Sequence, residues 1–307
     1  MNNLTLRQLR YFEALARHGH FGRAAEACAV SQPALSLQIR DLELSLGAGL
    51  FERSPRQVRL TRFGEDFAPR VRDILRAVDE LGDLARAFQG WFAGRLRIGV
   101  IPTVAPYLLP GLVRSLNRLY PALDIHVRET LTARLLRELS EGRLDAAIVA
   151  LPVSEPSLSE APLFVEEFLF VRPLEQASEP LPSADMLKDM RLLLLEEGHC
   201  FRDQALAFCN LAPAQPREML EASSLSTLVQ MVAAGIGVTF IPEMAAPVET
   251  RSAAVALSRF ARPRPRRTIG MIWRRSSPLA GQLHDIAGIV RQTAEALRAA
   301  PGQAQPA

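Results

Sequence analysis

The apolar pattern of this chain changes period once, and that change limits its fold more than any other feature. Leu6, Leu9, Phe12 and Leu15-Ala16 recur at helical spacing, and Ile74, Val78, Leu81, Ala85 and Phe88 still recur by threes and fours. After Gly94 strands and helices alternate. The pattern predicts strand over 96–101, mainly helix over 104–120, strand over 123–128, helix over 131–141 and a buried strand over 144–151. A βαβαβ order argues for a doubly wound sheet whose site lies beyond the carboxyl ends of the strands. Pro102-Thr103-Val104 and Thr130-Leu131-Thr132 fall at two such ends. A second α/β unit is expected over about 164–261, with strands at 192–195 and 236–241 and a helix at 226–234. Residues 266–273 return the chain to the first unit, and 279–299 close it with a helix. At 307 residues and 48% hydrophobic, the chain can bury more than one core.

The first sixty residues divide into short helices. His18-Gly19-His20 ends the first, with Gly19 a natural C-cap. A short alanine-rich helix over 21–29 follows, and Ser31 is a good N-cap for a third, Gln32–Leu46, with Pro33 tolerated in its first turn. This is helix-turn-helix spacing. On the third helix Leu35, Ile39, Leu42 and Leu46 should bury, which leaves Gln32, Ser36, Gln38 and Arg40 polar and able to reach base edges. Residues 51–61 read as a hairpin-like wing whose Arg53, Arg56 and Arg59 are available to phosphates. A small helical domain with solvated arginines is the plainer reading. The 71–88 stripe reads as a coiled-coil seam on a helix of about twenty residues, with Pro69 kinking it or marking its regular start.

Net charge of +3 and a pI near 9.0 do not by themselves imply nucleic acid. The distribution says more: nine arginines against five acidic residues through Arg62, then six acids against four arginines in the next thirty-two residues. Nothing resembles a signal peptide, and nowhere do eighteen uncharged apolar residues follow one another, so a cytoplasmic protein with no membrane contact is expected. Three cysteines without a CxxC pair supply neither a disulfide framework nor a zinc site. His18, His20 and Cys28 lack a fourth ligand, so no metal and no cofactor is expected.

Two of the cysteines stand nine positions apart in Gly198-His199-Cys200-Phe201-Arg202-Asp203-Gln204-Ala205-Leu206-Ala207-Phe208-Cys209. If 203–208 is helical, Cys200 lies at a helix N-terminus, whose orphan N–H groups stabilise an anion. Arg202 adds a second positive influence, and thiolate is the species that reacts. Cys209 reads as buried. Nine helical residues rise about 13 Å, whereas a disulfide needs Cα atoms within about 7 Å. A bond between these sulfurs therefore requires the helix to unwind, which would make the covalent event a switch. Two buried cytosolic thiols without redox function are the alternative.

Phe21-Gly22-Arg23-Ala24-Ala25, Ser31-Gln32-Pro33-Ala34-Leu35-Ser36, Gln38-Ile39-Arg40-Asp41-Leu42-Glu43 and Leu50-Phe51-Glu52-Arg53 resemble the winged helix-turn-helix of LysR-type transcriptional regulators. The resemblance implies an α/β protein with an N-terminal winged helix-turn-helix (1–62), a linker and dimerisation helix (63–92) and a periplasmic-binding-protein-like effector domain (95–307). The latter would have two α/β subdomains, 95–163 with 268–300, and 164–267. Base contacts from Gln32, Pro33 and Ser36 and a backbone or minor-groove contact from Arg53 are implied. The cysteine segment, with 98–110 and Arg266-Arg267-Thr268-Ile269-Gly270, further resembles the hydrogen peroxide-sensing branch of that family. There the first cysteine is oxidised and the second resolves it, which assigns those roles to Cys200 and Cys209, supported by Thr103, Thr132, His199, Arg202 and Asp203. Phe201 departs from the smaller aliphatic residue usual in that branch. The implied partners are promoter DNA, hydrogen peroxide, RNA polymerase, a thiol reductant and other copies of the chain, as a homodimer and homotetramer. No enzyme activity is implied. A LysR regulator with a small organic effector between its subdomains, and a thiol peroxidase, are the competing readings. The run 262–267 is basic and is expected to be a solvated crossover.

Overall fold

The computed structural model describes residues 4–53, 58–88, 94–183, 186–209 and 220–299. Arg56 and the side chain of Arg53, assigned to the wing, lie outside the described residues. The chain forms two compact units, residues 1–85 and 86–307.

In the first unit α1 (Leu6–His18) begins in a capping box: the Thr5 hydroxyl accepts from the Gln8 N–H at 3.2 Å, and the Gln8 amide oxygen accepts from the Thr5 N–H at 3.1 Å. It ends at Gly19, whose φ of 59° only glycine adopts without strain. His20 caps α2 (Phe21–Ala27), its Nδ1 accepting from the Gly22 N–H at 3.0 Å, so the His18-Gly19-His20 turn is structural. Ser31 caps α3 (Gln32–Leu46). Leu9, Phe12 and Leu15 of α1 and Leu35, Ile39 and Leu42 of α3 share one core. Strands β1 (Phe51–Arg53) and β2 (Val58–Leu60) pair antiparallel as the expected wing.

The linker helix differs from expectation. α4 (Arg62–Phe88) runs for 27 residues with Pro69 inside it, starting where Thr61 accepts from the Gly64 N–H at 3.0 Å. An interior proline costs about 3 kcal/mol. Burial of Val71 and Leu75 against the helix-turn-helix core, at about 1.5–3 kcal/mol each, offsets it. The helix therefore carries two apolar stripes, that inward one and an outward one in which Ile74 and Leu81 are 47% and 66% exposed.

The second unit contains β3 (Gly94–Val100), α5 (Ala105–Leu119), β4 (Leu123–Glu129), α6 (Thr132–Ser140), β5 (Ala146–Leu151) and β6 (Leu158–Pro173). There follow β7 (Leu194–Leu195), α7 (Cys200–Phe208), β8 (Glu221–Ala222), α8 (Leu225–Ala233), β9 (Thr239–Pro242), α9 (Ala246–Glu249), β10 (Val255–Arg259), β11 (Arg266–Arg274) and α10 (Ala280–Ala299). The principal sheet has the order β10-β6-β11-β5-β3-β4, with β9 also on β6. β3 lies parallel to β4 and β5, whereas β11 returns antiparallel between β5 and β6.

β6 is the element the sequence hid. Residues 158–167 of this strand pair with β11 and its last six residues with β9 and β10, so one 16-residue strand joins β9 and β10 to the rest of the sheet. Pro162 masks it, since proline cannot donate to a ladder. It is accommodated at a register shift opposite Gly270, where a Cβ would stand 2.2 Å from Leu151 Cδ1.

Arg266 and Arg267 also differ from the solvated crossover expected for 262–267. Both belong to β11, and strand alternation leaves Arg266 exposed and turns Arg267 into the interior, 3% exposed. Burial is possible because Glu166, 2% exposed, stands directly opposite it on β6. Arg264 is paired as well, reaching Glu167 at 3.1 Å.

Candidate functional site

Thr103, Thr132 and Cys200 occupy equivalent places in the chain: each follows the carboxyl end of a strand of a parallel pair and sits at or before the start of a helix. Thr103 lies between β3 and α5, Thr132 opens α6 after β4, and Cys200 opens α7 after β7. This is where a doubly wound fold places ligands. Two contacts bring the three helix starts together. A Cβ on Gly198 would stand 3.0 Å from Leu131 Cδ1, so the segment leading into α7 abuts the start of α6. Arg267 joins the third: it donates to the Thr103 hydroxyl at 2.9 Å and lies over the Phe201 ring at 5.1 Å.

Two polar atoms of the site are left over. Thr132 Oγ1 and His199 Nδ1 are buried and have no hydrogen-bond partner among the described residues. Orphaned buried polar atoms cost about 1–3 kcal/mol each, and a small molecule with both donors and acceptors would satisfy them. Burial pushes the His199 imidazole below its ordinary value of 6.5, with Glu196 opposing, so the ring is neutral at pH 7 and offers one donor and one acceptor. The Thr103 hydroxyl accepts from Arg267 and so has its own proton to give.

Beneath lies a buried pair that sequence reasoning missed. Arg267 Nε donates to Glu166 Oε1 at 2.7 Å, Nη2 to the Thr103 carbonyl at 3.2 Å, and Glu166 Oε2 accepts from the Met244 N–H at 3.3 Å. The available signal was Glu166-Glu167 interrupting the apolar run Leu163-Phe164-Val165 and Phe168-Leu169-Phe170. Phe201 packs edge-on against Phe168 at 4.8 Å as well as under Arg267, and so fills the floor of this site.

All three cysteines are thiols. Cys200 is partly buried at the first position of α7, while Cys209 is fully buried at its C-cap, with its N–H bonded to Ala205 O at 3.2 Å. The intact helix between them holds the two Cα atoms about 13 Å apart. Arg202, expected to lend charge to the sulfur, is 4% exposed and donates to the Leu195 carbonyl at 2.9 Å and to Glu221 at 2.6 Å, which fastens α7 to β7 and β8. Asp203 is exposed. In the first unit Gln32 and Pro33 are exposed in the first turn of α3 and Ser36 is half-buried. Among the described residues no group of His, Cys, Asp and Glu is arranged to hold a metal ion, and no helix is long and apolar enough to cross a membrane.

Known proteins share this architecture. Residues 6–65 match the bacterial regulatory helix-turn-helix proteins of the lysR family, and residues 89–295 match the LysR substrate binding domain. The chain belongs to the LysR family of bacterial helix-turn-helix regulators. Within that family its place is among the OxyR proteins, the hydrogen peroxide-inducible genes activators. A probable activator of this kind from Streptomyces viridosporus is 46% identical over 97% of this chain and 96% of its own length. The DNA-binding transcriptional dual regulator OxyR of Escherichia coli K12 is 42% identical over 94% and 95%. A full-length Pseudomonas aeruginosa OxyR with cysteine replaced by aspartate superposes with a TM-score of 0.75 at 38% identity, over 94% of this chain and 95% of that one. A hydrogen peroxide-bound cysteine-to-serine mutant of Corynebacterium glutamicum OxyR gives 0.68 at 35%, over 99% and 97%.

Proposed function

We propose that this protein is a DNA-binding transcriptional regulator that senses hydrogen peroxide through reversible formation of a Cys200–Cys209 disulfide. One observation carries the reading: the two thiols stand at opposite ends of a single intact helix, α7, so they cannot join unless that helix unwinds. The Cys200 sulfur attacks one peroxide oxygen, the O–O bond breaks, and the displaced hydroxide takes a proton and leaves as water. Cys200 is then a sulfenic acid. The Cys209 sulfur attacks it, the second hydroxide leaves as water, and the S–S bond forms. Two thiols and one peroxide thus give one disulfide and two waters, and a thiol reductant reverses the change by exchange. Thr103, Thr132 and the neutral His199 bind the peroxide, and Arg202 positions α7.

Gln32, Pro33 and Ser36 read bases through α3, while Arg53 holds the DNA backbone from the wing. The outward stripe of α4 makes the homodimer, which pairs into a homotetramer and acts on RNA polymerase in the cytoplasm. Residues 1–62 are the DNA-binding domain, 63–92 the linker and 95–307 the sensor, divided into 95–163 with 268–300, and 164–267. The sensor reacts once per signal and is not a turnover enzyme.

The test is mass mapping of the cysteines after stoichiometric peroxide. Wild type yields a Cys200–Cys209 bond, Cys209→Ser stops at sulfenic acid or beyond, and Cys200→Ser shows neither and leaves transcription unresponsive. A response that survives loss of both cysteines would establish a small organic effector instead, and sustained peroxide consumption with a reductant would establish a peroxidase.

A further inference from the structure

We propose that Leu37 reads the 5-methyl group of a thymine, so that one base of each operator half-site is recognised by apolar contact. The proposal rests on the base-reading role given to α3 above. The core side of that helix is set by Leu35, Ile39 and Leu42, all fully buried. At 3.6 residues per turn Leu37 points about 170° away from the centre of that stripe. It is 54% exposed, with Pro33 one turn before it and Ser36 beside it.

A single exposed leucine is ordinary on a protein surface. This one stands in the N-terminal half of the helix, the half that a helix-turn-helix inserts in the major groove. There the thymine methyl is the one apolar feature that marks a base pair, and aliphatic side chains are what it packs against. Leucine carries no donor or acceptor, so it can read nothing else. Leu44, 73% exposed, shares the same line of the helix but lies in its last turns, about 10 Å further along the axis. It is beyond the reading end and serves as the internal control.

The experiment uses the full chain. Duplexes of random sequence are selected on wild type, Leu37→Ala and Leu44→Ala, and each thymine of the site recovered by wild type is then replaced singly with uracil, which removes only the methyl. We expect one thymine per half-site at which uracil weakens wild type and Leu44→Ala about fourfold, the equivalent of one buried methyl, and Leu37→Ala by less than about 1.5-fold. Wild-type binding indifferent to uracil at every position overturns the proposal without any variant being needed. An equal uracil effect in wild type and Leu37→Ala overturns it too, as does an intact effect accompanied by a smaller assembly mass in Leu37→Ala, which would make Leu37 a subunit contact. Failure of wild type to recover any shared sequence would instead overturn base reading by α3 as a whole.

Discussion

Unwinding α7 has a thermodynamic signature that a single truncation exposes. Leu206 lies in the last turn of the helix, 2% exposed, in the same core as Ala205 and Phe201. If the helix leaves that core when Cys200 and Cys209 join, Leu206 stabilises only the reduced protein. Leu206→Ala should then destabilise the dithiol form by about 2–5 kcal/mol, the cost of a leucine-to-alanine truncation in a packed core. The disulfide form, with position 206 in solvent, should change little. Selective loss of stability in the dithiol makes reduction less favourable, so the midpoint potential must become more negative. With 30 mV equivalent to 1.4 kcal/mol for two electrons, the shift is about 40–110 mV. The assay is equilibration in thiol–disulfide buffers of graded potential, followed by alkylation and mass measurement. An unchanged midpoint, together with a lowered Tm for the reduced protein, would mean that Leu206 stays buried in both states. The unwinding argument would then be wrong.

Three other outcomes follow from particular contacts. Glu166→Gln leaves the fully buried Arg267 guanidinium without its counter-charge and should cost about 3–5 kcal/mol. Glu166→Leu with Arg267→Met should recover much of that loss, as read by thermal unfolding. Burial holds His199 below its ordinary 6.5, so the unfolded chain binds a proton first as pH falls. Stability should therefore decline as pH drops below about 6.5 and level off once the folded ring also protonates, and His199→Asn should flatten that stretch of the curve. Leu81→Asp places a charge in the outward stripe of α4, where Leu81 is 66% exposed, and light scattering should report a smaller assembly with weaker operator binding.

Local rules were sufficient wherever one segment decides its own structure. Gly19, Ser31 and the spacing of Leu35, Ile39 and Leu42 specified the turn, the cap and the buried face of α3, because backbone freedom and helical period act within a few residues. The positions of Thr103 and Thr132 beyond strand ends were legible for the same reason, and the nine-residue interval from Cys200 to Cys209 fixed their separation once the helix formed. What the sequence could not decide was set by partners far away in the chain. Arg267 reads as a solvated arginine until β11 is laid against β6, where Glu166 stands opposite it 101 residues away. Pro162 conceals a strand until a bulge at Gly270 accommodates it. Pro69 reads as a kink or as the regular start of a helix until Val71 and Leu75 bury beyond it, and Arg202 reads as a charge lent to the sulfur until β8 brings Glu221 to it. In each case the outcome is the energy of a non-local contact set against a local preference, and only the tertiary structure supplies that contact.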